Sequence, residues 1–201
     1  MATQAINEVA ICNLGLGLLQ QAQITSIETP VSNAEVICAL WYHTIRRLTL
    51  AGHLWNFAKK RVLLPKLAEA PEFEHDSKYA FPSDYIRLVR FGKLHTDSVD
   101  YTIENNEILT TGLGDLTLPI VYIYDFTIVT QMAPLFVDLF AHEFALRTAP
   151  FFKADPNIIS GLVILRDRLY KKATGVDGQE DKPKVLHRSR MLSARRSVGT
   201  V

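Results

Sequence analysis

Residues 31–65, VSNAEVICALWYHTIRRLTLAGHLWNFAKKRVLLP, decide the fold class of this chain. Ser32 followed three positions later by Glu35 has the form of a capping box, in which each side chain satisfies a free backbone N–H at a helix start. Ile37, Trp41, Ile45, Leu48, Gly52 and Trp55 then recur in steps of four and three, which keeps them on one helical face. Leu50, Leu54 and Phe57 make a second row that widens the face. Near Lys59 the period changes to a β-prone run at 61–64, closed by Pro65. The stretch predicts a long helix that hands over to a strand.

Upstream, residues 3–20 read as a helix with Ile6, Val9, Cys12 or Asn13, Leu16 and Leu19 on one face. Gly15 and Gly17 each cost such a helix roughly 1 kcal/mol relative to Ala. The short link through Pro30 makes the first two helices antiparallel neighbours. Downstream the helical period disappears from 61 to 124. Residues 85–91 alternate like a strand, 99–103 and 107–111 read as a hairpin about Glu104, Asn105 and Asn106, 112–115 as a turn, and 120–124 as a last strand. Helix returns at Pro134, with Leu135, Leu139, His142 and Leu146 in one row and Phe136, Phe140 and Phe144 in another. Asp155 and Pro156 open a final helix carrying Ile158, Leu162, Leu165 and Leu169. Gly175 and Gly178 read as the start of a tail.

The expected fold is α+β: a mainly α-helical bundle of about four helices with a small antiparallel β-sheet inserted between the second and third. The expected divisions are a helical hairpin at 1–60, the inserted β region at 61–130, helices that pack back on the first pair at 131–174, and a flexible basic tail at 175–201.

Hydrophobic content of 48% and charged content of 21% suit a chain that buries a real core. A net charge of +1 gives no global field toward nucleic acid or membrane. The charge is uneven, because Lys182, Lys184, Arg188, Arg190, Arg195 and Arg196 close the chain with no acid among them. Cys12 and Cys38 fall in helical pattern and read as reduced core thiols. The absence of a signal-peptide pattern or a long apolar run leads to the expectation of a soluble protein made in a reducing cytosol.

Catalytic signals are sparse. His142 and Glu143 begin a zinc-protease pattern, but Leu146 stands where the second histidine belongs. Gly15 and Gly17 lack the Lys-Ser/Thr ending of a phosphate loop, and no nucleophile elbow is present. Neither a cofactor nor a metal is expected. Glu72, Glu74, Asp76 and Asp84 leave open a carboxylate-pair hydrolase. The basic tail leaves open docking to an acidic partner or to nucleic acid phosphates, with Leu186, Met191 and Leu192 as apolar anchors.

Six short stretches carry a resemblance: CNL at 12–14, ITSI at 24–27, WNFA at 55–58, LLP at 63–65, YAFPSDYIR at 79–87 and MAPLF at 132–136. Through these the chain resembles the head-to-tail adaptor family of short-tailed phages, which includes the tail tubular protein A group, over roughly residues 5–170. The resemblance implies a non-enzymatic virion structural protein at the head–tail junction. Such adaptors form a ring, usually of twelve copies, that joins the portal to the tail nozzle or needle, and viral DNA passes through its lumen. The tail lies beyond the stretch the resemblance covers; within an adaptor its Lys182, Lys184, Leu186, Arg188, Arg190, Met191, Leu192, Arg195 and Arg196 are expected to form a portal-docking arm. The resemblance also implies that Ile37, Trp41, Ile45, Leu48, Trp55, Phe57, Phe136, Phe140 and Phe144 serve the helical core or the contact between copies. The alternatives are a tail-associated peptidoglycan hydrolase and a nucleic-acid-binding module working through the basic tail.

Overall fold

The computed structural model describes residues 6–92, 99–113 and 117–180. They form four α-helices and two small antiparallel sheets, a mixed α+β architecture. The helices are α1 (Glu8–Leu18), α2 (Asn33–Ala51), α3 (Pro134–Thr148) and α4 (Pro156–Glu180). The strands are β1 (Lys59–Leu64), β2 (Ser77–Ala80), β3 (Tyr85–Phe91), β4 (Tyr101–Glu104), β5 (Glu107–Thr110) and β6 (Leu118–Tyr124).

Local chemistry sets the entry into α2. Ser32 accepts the Glu35 N–H and the Glu35 carboxylate accepts the Ser32 N–H, completing the capping box. The same carboxylate accepts from Val31 N at 2.8 Å and from both the N–H and the hydroxyl of Thr25. On the other side of that loop, the Asn13 side chain accepts the Ile24 N–H at 2.8 Å and donates to the Ile24 carbonyl at 3.0 Å. The CNL and ITSI stretches are therefore two ends of one stitch between α1 and the α1–α2 loop. Backbone hydrogen bonds from Ser32, Val31 and Thr25 pull Glu35 down to about 2, well below its ordinary value of 4.5.

The helix ends sooner than its apolar rows imply. α2 stops at Ala51, and Trp55 and Phe57 are reached through a turn and a short 3-10 segment, Asn56–Ala58. Its buried stripe runs through Cys38, Tyr42, Ile45, Arg46 and Thr49, so Leu48 is left 45% exposed. Helix α3 occupies the centre instead: Phe136, Val137, Leu139, Phe140, Ala141, Phe144, Ala145 and Thr148 are all buried, and all three other helices pack on it. The approach of α1 is closest at Gly15, where an added Cβ would stand 2.7 Å from Phe144 Cδ1 and 3.1 Å from the Ala141 carbonyl oxygen. Cys12 and Cys38 are free buried thiols. Their mutual hydrogen bond and burial push the Cys12 thiol above its usual range.

Two sheets replace the one expected. In the first, β6 is central and pairs antiparallel with β1 and β3. In the second, β5 lies between β2 and β4. The β4–β5 hairpin turns on Asn105 and Asn106, both at positive φ (47° and 62°), a backbone that asparagine tolerates and that matches strand twist. Tyr79, Phe91, Ile108, Leu118 and Ile120 fill the core of this β region. On the helical side, Ile123 joins the bundle core with Ala58 and Phe126.

A further correction concerns the end of the body. α4 continues unbroken through Gly175 and Gly178 to Glu180, and Ala173 and Asp177 are buried in it. Two glycines weaken a helix by about 1 kcal/mol each, yet burial of those two side chains holds this one. Only Leu162 of the expected α4 row is fully buried, and Leu165 faces outward.

Gly15→Ala is expected to lower the melting temperature, since overpacking against a fully buried ring costs roughly 1–3 kcal/mol. Gly17→Ala, with nothing within 4 Å of the new Cβ, should raise it, by up to about 1 kcal/mol of helix propensity. Thermal melts of the two variants check the pair. For Glu35 the folded value lies below the unfolded one, so its stabilisation is complete above about pH 4.5 and lost as pH falls toward 2. Glu35→Gln should melt below the wild type at pH 7, with the gap closing across that window.

Candidate functional site

Six of the nine helix positions singled out by the resemblance are buried: Ile37, Ile45, Trp55, Phe136, Phe140 and Phe144. Trp55 donates its indole N–H to the Thr49 carbonyl at 3.1 Å and meets Phe136 edge-on with ring centroids 5.1 Å apart. Phe57 is half-buried against Phe126 and Phe136, and half-buried Trp41 leans on Phe151. These side chains set the interior of the bundle. The basic-tail positions, from Lys182 to Arg196, lie outside the described residues.

The outward apolar surface is carried by other residues. On α2, Val36 and Leu40 are exposed one turn apart, Leu40 to 69%, with Leu48 farther along. On α4, Val163, Ile164 and Leu165 are consecutive and exposed. The i, i+4 spacing of Val36 and Leu40 was readable in the sequence, but nothing local distinguishes an outward row from an inward one. Scattered exposed leucines are ordinary; Val36 and Leu40 share one face of α2, whereas Val163, Ile164 and Leu165, each turned about 100° from the last, fan around α4.

Ionic joints hold the helical body to the β region. Arg46, buried on α2, donates Nε (3.1 Å) and Nη2 (2.9 Å) to Asp125 Oδ1, just beyond β6. Arg47 reaches Asp125 Oδ2 at 3.2 Å, and His43 Nδ1 lies 3.2 Å from Arg46 Nη1. At the same end of the first sheet, just before β1, Asp177 of α4 accepts the Asn56 N–H at 2.9 Å through Oδ1, its Oδ2 lies 3.1 Å from His53 Nε2, and its carbonyl accepts the Asn56 amide. The WNFA stretch is thus a junction clamped by the last helix.

The carboxylates open to a hydrolase reading separate into two groups. Asp84 accepts from Tyr122 Oη at 2.8 Å and from Lys60 Nζ at 2.7 Å. Burial alone would raise Asp84, but those two donors outweigh it and hold the carboxyl below its usual range. Tyr122 is pushed up to about 12, by burial first and then by Asp84. Asp76 accepts from the Gly112 N–H and the Ser77 hydroxyl, which lower it and brace the loop. A general acid needs a raised carboxyl, and these two are shifted the other way. Glu72 and Glu74 share a polar cleft of about 270 Å³ with His75, Lys78, Glu104 and Glu107.

Among the described residues the histidines are engaged in the scaffold. His142 Nδ1 turns back on the Asp138 carbonyl at 2.9 Å, and His75 lies between the hydroxyls of Thr102 and Thr111. Among the described residues no group of three or more His, Cys, Asp or Glu could hold a metal ion. No helix there is long and apolar enough to cross a membrane. No protein-family model matches the chain, and no curated protein matches it significantly.

Asp125→Ala would leave the buried Arg46 guanidinium with only the more distant Glu8, at 3.9 Å, as a counter-charge, which costs on the order of 3 kcal/mol. Urea unfolding of that variant should show a correspondingly lower midpoint, and Arg47→Ala, removing only the exposed partner, should barely move it.

Proposed function

We propose that this chain is a head-to-tail adaptor: a non-enzymatic virion structural protein that rings the head–tail junction, joins the portal to the tail nozzle and surrounds the DNA passage. In this reading an α-helical bundle with an inserted β region is the ring subunit, and copies meet through surfaces that close by rotation. The observation that carries it is the exposed apolar side chains Val36 and Leu40 on one face of α2 and Val163, Ile164 and Leu165 on α4, on helices that also supply the core. The six short stretches add to it, since the structure gives several of them defined joining work: Asn13 stitches a loop, Asn56 is clamped by Asp177, and Asp84 ties β1 to β6.

The basic arm beyond Glu180 is the portal-facing element of this proposal. Its boundary matters, because a cut at Thr174 also removes the Asp177 clamp. A chain ending at Glu180 is expected to melt as the full chain does but to bind cognate portal rings poorly. One ending at Thr174 should lose stability as well. Negative-stain imaging of the protein with and without portal, alongside portal pull-down by the Glu180 truncation, tests both parts. Absence of any ring in either condition overturns the adaptor reading, and undiminished portal binding by the truncated chain overturns the docking arm.

A further inference from the structure

The first sheet has one face turned to the second sheet, where Leu64, Phe91, Leu118 and Ile120 are buried. Its opposite face meets the helical core at Ile123. Farther along that face run two cross-strand rows, in which Val121 is buried, Pro119 is half-buried, and Arg61, Arg90 and Leu63 are exposed. Arg61, Val121 and Arg90 are register partners in the first row, and Leu63 pairs with Pro119 in the next. Gly92 closes the second row by donating to the Pro119 carbonyl at 2.7 Å. An added Cβ at Gly92 would come within 2.7 Å of the Pro119 ring, so only glycine lets the strands approach there. The rows line a trough of about 590 Å³ whose floor is apolar and whose sides carry the two arginines. Leu63 in it is 65% exposed. Among the described residues neither Arg61 nor Arg90 pairs with a carboxylate.

The same chain carries a shape of opposite character. In the β1–β2 connection, Glu72, Phe73 and Glu74 form an acidic tip with Phe73 at its centre, 73% exposed. The tip is braced from below. His75 N donates to the Phe73 carbonyl at 2.8 Å, Glu74 takes a left-handed backbone (φ 65°), and Asp76 and His75 are tied to Gly112, Thr102 and Thr111. A large apolar side chain held outward on a braced turn is a costly arrangement for an isolated monomer and a pre-organised anchor for a partner.

We infer that the Glu72-Phe73-Glu74 tip of one copy docks in the Arg61/Arg90 trough of the next. Phe73 would cover Leu63 and Pro119, and the two glutamates would meet the two arginines, two negative charges against two positive. Tip and trough have no residue in common, so the contact is head-to-tail and each copy keeps one free end for a further copy. This rests on the adaptor reading for its biological setting, though the pairing itself follows from the two surfaces.

Sedimentation velocity of the full chain over a range of concentrations tests it. The wild type should associate. Phe73→Asp, and separately Arg61→Glu with Arg90→Glu, should each weaken association roughly thirtyfold or more, at unchanged melting temperature. Phe73→Ala serves as the milder variant if the aspartate disturbs folding. A mixture of the two defective chains should form one-to-one dimers and nothing larger, because a single intact tip meets a single intact trough. A wild type that stays monomeric, variants that associate as well as the wild type, or a mixture that forms no dimer each overturn the pairing. Association through these residues into open strings leaves the pairing standing and overturns the ring, whereas closed rings indifferent to both substitutions do the reverse.

Discussion

Helix α3 is buried nearly all round, and that single constraint organises the rest of the helical body. Three phenylalanines at four-residue spacing, Phe136, Phe140 and Phe144, are fully buried. A helix so enclosed needs neighbours on every side, and α1, α2 and α4 supply them. The distance of approach is set by small residues: Gly15 on α1 lets the backbone of α1 come against Phe144 and the Ala141 carbonyl. Because α3 absorbs one face from each of its neighbours, the other faces of α2 and α4 remain outside. Their exposed apolar residues are therefore a consequence of a satisfied core, not of an incomplete one.

The β region is attached to that body by charge and hydrogen bonding at several points. Arg46 and Asp125 link α2 to the chain just after β6, and Asp177 and Asn56 link α4 to the segment just before β1. Asp84, Lys60 and Tyr122 then tie the strands to one another. A buried ion pair is a weak source of net stability, since desolvation offsets most of the Coulombic gain, but it is intolerant of misplacement. Apolar contacts alone would let the two parts slide. Directional bonds from two helices, both made where β1 begins and β6 ends, define one relative placement.

What the sequence made legible was local. Ser32 and Glu35 announce a helix start because both halves of the capping box lie within one turn, and the two-asparagine hairpin follows from the φ angles that asparagine tolerates. The α+β class follows from the change of period near Lys59. What stayed hidden depended on partners far away in the chain. Arg46 sits on the buried stripe of α2 because Asp125, 79 residues on, receives it, so apolar periodicity assigned Leu48 to a face that the helix does not bury. Gly175 and Gly178 look like a helix end until Asp177 is seen gripping Asn56 across 121 residues. Pairing of β1 with β6 rather than with β2 splits the expected sheet into two, and no run of residues encodes that choice. Nothing in the spacing of the loop acids marks Phe73 as outward-facing, because its setting depends on braces from Thr102, Thr111 and Gly112, much farther along the chain.

A closed ring demands more of its subunit than adhesive surfaces. Heterologous contacts close only when the rotation from copy to copy is fixed, and a small error in that rotation gives an open helix instead. In the proposed adaptor the tip and trough lie in the β region, while the exposed apolar side chains lie on the helices. Both contacts can be satisfied together only if the angle between β region and helical body does not drift. The Arg46–Asp125 pair and the Asp177–Asn56 clamp both act on that angle, one from α2 and one from α4. Their value in such a ring is geometric: interactions that contribute little net stability to a monomer set the rotation at which successive copies would meet or miss.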